Sequence, residues 1–170
     1  MLTNALGYVQ TRSIEGETTA IFGGESTFTV EDGVETPTLE ASGSRSDDGS
    51  AFTGGQTDRV VVTVTELSEA AEVTDGVPDG WTVDADYGDA DSFDAEAGTV
   101  SFGERGPVDP EANDDALELE YYAEAPEGAT ATGRYTFGPA EATATVDGDE
   151  VTVEFAGTDT NTVVGPSTGT

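Results

Sequence analysis

Four aspartates lie close together in the segment DADYGDAD, at Asp84, Asp86, Asp89 and Asp91. Calcium in proteins takes about six to eight oxygen ligands, many of them from carboxylates, so this segment is a candidate calcium site. Its order differs from that of an EF-hand loop, because Gly88 stands where the fifth-position ligand belongs and no glutamate stands at the twelfth position. The alternative is a solvated acidic loop without a metal.

A second, weaker calcium candidate of the same kind follows the central part of the chain. It consists of Asp109, Glu111, Asp114 and Asp115. Pairs of carboxylates also serve as acid and base in glycosidases, but a chain with 36 acidic residues gives no reason to single out one pair. Histidine, cysteine and lysine are absent. A Ser-His-Asp or Cys-His site therefore cannot form within this chain, and we predict that it is not an enzyme.

Two aromatic side chains are candidates for binding. Trp81 could stack against a sugar, although a tryptophan that opens a β-strand is more often a core anchor. In the pair Tyr121-Tyr122 the two side chains point to opposite faces of a strand, so Tyr121 is expected in the core and Tyr122 on the surface. Exposed tyrosine is favoured at protein interfaces, which makes Tyr122 the better binding candidate.

The charge balance is extreme: 36 acidic residues stand against five basic ones, for a net charge of −31. Such a charge destabilises a compact state in dilute buffer by self-repulsion, whereas in molar salt the Debye length falls to about 3 Å. We therefore predict a protein adapted to a high-salt solvent, from a haloarchaeon or its virus. Nucleic acid is excluded as a partner because no basic patch exists to neutralise phosphates. The basic residues Arg59, Arg105 and Arg134 are expected to be structural centres of ion pairs.

The chain contains no cysteine and no apolar run long enough to cross a membrane, so neither disulfides nor membrane insertion are expected. The first residues lack the basic and apolar regions of a signal peptide. The sequence is consistent with a cytoplasmic or viral protein, or with a mature piece from which a signal has been removed.

Alternation of apolar and polar residues predicts strands throughout. The clearest runs begin at Val60, at Trp81 and at Leu117, and an Asp-Gly hairpin is predicted around Asp147-Gly148. Many short strands and no helical period predict an all-β fold, a β-sandwich of two antiparallel sheets. This alternation also argues against intrinsic disorder. We predict a lead-in segment at 1–17, the sandwich at 18–157 and a tail or linker at 158–170. Residues 42–55, rich in Gly, Ser and Asp, are predicted to form an exposed mobile loop.

The central stretch resembles the Ig-like conserved repeats of bacterial and archaeal surface proteins, including the domain-of-unknown-function eleven group. The resemblance is carried by VVVTV at 60–64, PDGWTV at 78–83, FDAEAGTV at 93–100 and LELEY at 117–121. It covers about 80 residues in the middle of the chain. Two departures from the family pattern are an insertion at 34–55 and a long loop before Leu117. The family implies an Ig-like, extracellular module without catalytic residues.

The resemblance and the charge together predict a non-catalytic structural or adhesive module of a haloarchaeal cell-surface protein. Its expected partners are other protein modules or copies of itself. One alternative is a capsid, spike or tail component of a haloarchaeal virion. Another is a carbohydrate- or calcium-dependent binding module, with Tyr122 and the DADYGDAD segment as its candidate sites. No cofactor is predicted apart from that candidate calcium.

Overall fold

In the computed structural model, the described residues are 18–22, 26–30, 36–112 and 115–165. The chain divides into two compact units, Met1–Thr36 and Pro37–Thr170. In the first unit, β1 (Thr18–Phe22) and β2 (Ser26–Val30) form an antiparallel pair with Ala20 opposite Phe28. The predicted lead-in at 1–17 lies outside the described residues.

The second unit contains strands and two short 3₁₀ turns. The strands are β3 (Ala41–Asp47), β4 (Ala51–Thr53), β5 (Thr57–Leu67), β6 (Ala71–Gly76), β7 (Thr82–Val83), β8 (Ser92–Asp94), β9 (Thr99–Arg105), β10 (Leu117–Glu124), β11 (Gly133–Phe137), β12 (Ala140–Val146), β13 (Asp149–Glu154) and β14 (Asp159–Val164). The 3₁₀ turns are Pro110–Ala112 and Ala129–Ala131. No helix in the described part of the chain has the length and apolarity that a membrane crossing requires.

One sheet has four strands in the order β3-β5-β10-β7, all antiparallel. Strand β5 turns Val60, Val62 and Val64 to the inside, where all three are fully buried. On the neighbouring strand β10, Leu119 and Tyr121 are buried while the intervening glutamates face outward. The period of two that predicts these strands therefore also assigns their inner faces correctly.

A second sheet has five strands in the order β13-β12-β6-β9-β8, again antiparallel. Strands β12 and β13 form the predicted hairpin, with Ala142 opposite Val153. Its turn residues Asp147 and Gly148 both have positive φ, 53° and 94°. That geometry suits the two-residue hairpin turn for which Asp-Gly is favoured.

A third sheet, β11-β14-β4, pairs β14 with β4 in parallel and with β11 in antiparallel orientation. The sequence predicts two antiparallel sheets. The number of sheets and the orientation of this third, mixed sheet therefore differ from the prediction. The central strand β14 lies in the range predicted as a tail, 158–170, and its Asn161 and Val163 are fully buried. Strand β14 is short and rich in threonine, so the alternation of its side chains does not distinguish it from a linker in the sequence.

Within the second unit, the three sheets enclose one apolar core of described residues, which confirms the predicted all-β sandwich. The four-stranded and five-stranded sheets meet where the rings of Tyr121 and Phe102 lie 6.1 Å apart between centroids. Trp81 joins the third sheet to this core, with its ring 4.9 Å from that of Phe137 and 5.4 Å from that of Phe52. Burial of this apolar surface is the main force that holds the sheets together.

The prediction of an exposed loop at 42–55 is wrong. Residues 42–47 of this range belong to β3, which pairs with β5, and Ala51–Thr53 forms β4. The inward positions of β3 carry Ala41, Gly43, Arg45 and Asp47, and only 4% of Arg45 is exposed. The strand lacks an apolar face because its main inward side chain is a buried cation, which removes the signal that identifies strands in sequence.

Candidate functional site

A buried ionic cluster lies between the four-stranded and five-stranded sheets. Its centre is Arg45, whose Nε donates to Asp75 Oδ2 at 3.0 Å and whose Nη1 donates to Asp47 Oδ2 at 3.2 Å. The side chains of Arg45 and Asp75 have no exposed surface, and 3% of Asp47 is exposed. The guanidinium carbon also lies 4.8 Å from the centroid of the Phe137 ring, a cation–π distance.

Tyr121 is a second donor to Asp75, since its hydroxyl donates to Asp75 Oδ2 at 2.7 Å. Burial raises the pKa of Asp75, and the nearby guanidinium of Arg45 only partly offsets that effect. Burial alone would lower the pKa of Arg45, but attraction by Asp75, Tyr121 and Asp47 leaves it raised. The cation is therefore the fixed charge of the cluster, and Asp75 is the partner whose charged form burial disfavours.

Asp58 is the other carboxylate of this region. Its Oδ2 accepts from Asn161 Nδ2 at 3.0 Å, and the same nitrogen donates to Asp47 Oδ2 at 3.2 Å. Burial, followed by repulsion from Asp47, raises the pKa of Asp58 to about 7. The amide of Asn161 thus ties β14 to two acidic side chains on β3 and β5. This cluster joins five strands of three sheets, and its geometry suits a structural role.

A surface groove of 580 Å³ lies on the outer face of the four-stranded sheet. Its lining comprises Thr57, Thr82, Asp84, Tyr87, Gly88, Glu120, Tyr122 and Glu124. The floor is the outward face of β10, on which Glu120, Tyr122 and Glu124 alternate with buried residues. The strand period places these three side chains in one row.

The floor is held in place by a chain of polar contacts. Arg59 lies on the adjacent strand, directly opposite Tyr122. Its Nη2 is 2.6 Å from Glu120 Oε2, and the hydroxyl of Tyr122 donates to Glu120 Oε1 at 3.0 Å. The hydrogen bonds from Arg59 and Tyr122 lower the pKa of Glu120. Arg59 is therefore an ion-pair centre as predicted, and it also orients the tyrosine of the groove.

The wall of the groove is the loop between β7 and β8. Asp89 binds the backbone of β10 twice, because its N–H donates to the Glu120 carbonyl at 2.7 Å and its Oδ2 accepts from the Glu120 N–H at 2.9 Å. Gly88, with φ of 85°, lies so close to β10 that a Cβ there would overlap the Glu120 carbonyl oxygen. The loop is thereby pinned beside the strand, and Tyr87 stands on it with 65% of its surface exposed.

The sequence identifies only part of this groove. Tyr122, which the sequence places on the surface, lines the groove, and Tyr121, which it places inside, is in the core. Tyr87 is not predicted, although it lies inside the acidic segment that the sequence singles out. The available signal is an aromatic residue in a polar, glycine-containing loop, where no core position requires one.

The structure does not gather the predicted calcium ligands. Asp84 Oδ1 accepts from the Asp86 N–H at 3.0 Å, which closes a local turn, and Asp89 is bound to β10. In the second segment, Asp109 Oδ1 accepts from the N–H groups of Glu111 and Ala112. Asp114 lies outside the described residues. Among the described residues, no cluster of three or more acidic side chains has a geometry that could hold a metal ion.

Trp81 is a core residue with 2% of its surface exposed. Its ring is surrounded by those of Phe52, Tyr135 and Phe137 in edge-on contacts. The backbone turn before it, in which the Trp81 N–H donates to the Pro78 carbonyl at 3.2 Å, directs the side chain inward. No face of the indole is left for a ligand, so Trp81 is not a sugar-stacking residue and its prediction as a binding residue is wrong.

Comparison with known proteins gives no family. No protein-family model matches the chain, and no curated protein matches it. Among solved structures, the chain is similar to the bacterial hydrophobin BslA, with 18% identity and a TM-score of 0.35 over 69% of this chain and 99% of that one. It is also similar to a chain of the CaDoc0917–CaCohA2 complex solved at pH 5.5, with 15% identity and a TM-score of 0.32 over 75% of this chain and all of the other. Neither likeness assigns a function to this chain.

Proposed function

We propose that this chain is a salt-adapted, non-catalytic β-sandwich module with a structural or adhesive role on the surface of a halophilic archaeal cell. The observation that carries the proposal is the separation of charge in the fold. The chain has a net charge of −31, yet in the part that the structure describes the buried charged residues belong to one compact ionic cluster within an otherwise apolar core. Strand β10 shows the pattern at residue level, since its outward glutamates alternate with buried Leu119, Tyr121 and Ala123.

The proposal of salt adaptation rests on the repulsion between the acidic side chains of this surface. Like charges held on a compact surface repel one another, and in dilute buffer that repulsion favours the unfolded chain. Molar salt reduces the Debye length to about 3 Å and screens most of it. The surface is thus suited to a solvent in which screening is permanent, and a halophilic source is the simplest origin of such a chain.

The absence of catalysis is a proposal supported by the residue types. The chain has no histidine, cysteine or lysine, which are common general bases and nucleophiles. The carboxylates of the ionic cluster are buried between sheets, away from any substrate. Asp89 is occupied by backbone hydrogen bonds of the adjoining strand. These features favour a structural or binding module over an enzyme.

The groove of Tyr87 and Tyr122 favours the adhesive form of this function over a purely spacing one. An exposed aromatic ring beside a fixed one, in a depression lined by acceptors, is an arrangement that a passive spacer does not need. A capsid, spike or tail component of a virion is the alternative location for the same module, with copies of itself as the expected partners.

The test of the proposal is a salt series on the purified chain. We expect far-ultraviolet circular dichroism to show the folded state in about 3 M KCl and its progressive loss as KCl is lowered towards about 0.1 M. Sucrose at matched osmolality is the control, because it favours compact states without screening charge. A chain that stays fully folded in dilute buffer would contradict salt adaptation.

Location is tested by fractionation. An antibody to the chain, applied to envelope, cytosol and purified virions of the source organism, should label the envelope. Label confined to virions would favour the viral alternative. Label confined to the cytosol would contradict both.

A further inference from the structure

We propose that the groove of Tyr87 and Tyr122 binds a neutral, hydroxyl-rich ligand, a short segment of a glycan chain. This inference rests on the proposed adhesive function and names the ligand class for it. Among the described residues, two large hydrophobic residues have more than half of their surface exposed, Tyr87 and Val164. Of these two, Tyr87, which is 65% exposed, lines this groove.

The floor of the groove is organised before any ligand arrives. Tyr122 cannot rotate freely, because its hydroxyl is held by Glu120, which is held in turn by Arg59 on the neighbouring strand. The wall is fixed as well, since Asp89 and Gly88 lie directly against the backbone of β10. A binding surface that is already ordered loses little conformational entropy when it is occupied.

The groups that line the groove match the two kinds of surface on a sugar ring. Aromatic rings offer a flat apolar face to the C–H side of a pyranose. Around them stand hydrogen-bond acceptors in the carboxylates of Asp84 and Glu124, and hydroxyls in Thr57 and Thr82. Carboxylates accept from sugar hydroxyls in charge-assisted hydrogen bonds, which are stronger than neutral ones.

The charges around the groove disfavour anionic ligands, and the solvent weakens the binding of cationic ones. Anionic ligands find no cation among the residues that line the groove, only the carboxylates of Asp84, Glu120 and Glu124, and the neighbouring Arg59 is already bound to Glu120. Cationic ligands are attracted, but in molar salt that attraction is screened and potassium competes for the same carboxylates. A neutral polyol depends on neither effect, so it is the class that the groove can bind in the solvent proposed for this protein.

The experiment is isothermal calorimetry in about 3 M KCl with the folded chain and with neutral trisaccharides of glucose, mannose and galactose, tested singly. We expect saturable binding of at least one trisaccharide. Tyr87→Ala should weaken it about tenfold or more through the lost stacking face, whereas Tyr87→Phe should retain most of it. Val164→Ala is the matched control, because Val164 is also exposed, at 53%, but lies outside this groove.

The outcomes are separable from those of the proposed function, since circular dichroism of the same samples reports folding independently. A folded, salt-dependent chain that binds none of the trisaccharides would overturn the inference and leave the proposed salt adaptation standing. Binding that Tyr87→Ala leaves unchanged would also overturn it. Tetramethylammonium is included as a cationic probe, and if it binds in the same salt through Tyr87 while the sugars do not, the groove is a cation site instead.

Discussion

Two arginine–carboxylate pairs of this molecule have similar geometry and opposite surroundings. Arg45 contacts Asp75 at 3.0 Å with neither side chain exposed, whereas Arg59 contacts Glu120 at 2.6 Å with 42% and 33% of the two side chains exposed. The shorter distance belongs to the exposed pair. Distance alone therefore does not rank them, because what a charge pair contributes depends on how much water it has lost.

The two pairs differ most in the surroundings of the carboxylate that remains when the arginine is removed. Asp75 without Arg45 would be a desolvated carboxylate with only Tyr121 as a donor from another side chain. Glu120 without Arg59 would keep its contact with Tyr122 and would gain water. We expect the first change to endanger the fold and the second to disturb only the groove.

The largest effect is expected for Arg45→Met. This variant keeps the volume of the side chain but leaves Asp75 and Asp47 without their cation, and we expect it to lose about 3–5 kcal/mol of unfolding free energy. Urea titration in high salt measures it. A loss below about 1 kcal/mol would mean that the cluster is not desolvated as the structure shows it.

The next effect has the opposite sign and depends on pH. The pKa of Asp58 is raised from 3.8 to about 7 in the folded state, so the native chain holds this proton more tightly than the unfolded chain does. Its contribution to stability is complete at low pH and is lost as pH rises through this window. Asp58→Asn keeps an acceptor for Asn161 without the charge, so above pH 7 it should be more stable than the parent chain, by up to about 4 kcal/mol.

The measurement for Asp58 is the difference in unfolding free energy between Asp58→Asn and the parent chain across that window. Taking a difference removes the contribution of the other carboxylates, which titrate in both proteins. A difference that does not change with pH would show that the pKa of Asp58 is not raised.

A smaller effect is expected for Arg59→Gln. The exposed pair should contribute little to the unfolding midpoint, and the variant should unfold with the parent chain within error. Its consequence should fall on the groove, where Tyr122 loses part of its support and trisaccharide binding weakens without loss of fold. A marked fall in stability would place this pair in the same class as the buried one.

The smallest expected effect is that of calcium. Because the described carboxylates do not converge, calcium should raise the melting temperature no more than magnesium does at equal ionic strength. A specific rise with calcium, abolished by Asp84→Asn, would restore the calcium site that the DADYGDAD segment suggests.

These regions also show what the sequence can and cannot predict. Val60, Val62 and Val64 are predictable because alternation is local and their neighbours repeat it. Arg45 is not, since a strand whose inward residues are alanine, glycine, arginine and aspartate has the composition of a loop. Its burial is decided by Asp75, thirty residues away in the chain, which supplies the opposite charge.

The groove is predictable only in part for the same reason. Tyr122 is assigned to the surface by the period of its own strand. Tyr87 reaches it because the loop around Asp89 is bound to β10, a contact between residues 31 positions apart. No local pattern encodes that contact, and the sequence singles out Asp89 only as a candidate calcium ligand, not as a partner of the Glu120 backbone.

A salt-dependent surface covers a core whose ionic cluster is not screened by salt. The unfolding free energies of the parent chain and of Arg45→Met, measured from about 0.5 M to about 3 M KCl, separate the two regions. We predict that both proteins gain stability with salt while the difference between them stays constant, because buried charges are screened little. A parent chain whose stability does not change with salt, or a difference that shrinks as salt rises, would show that surface and core are not separated in this way.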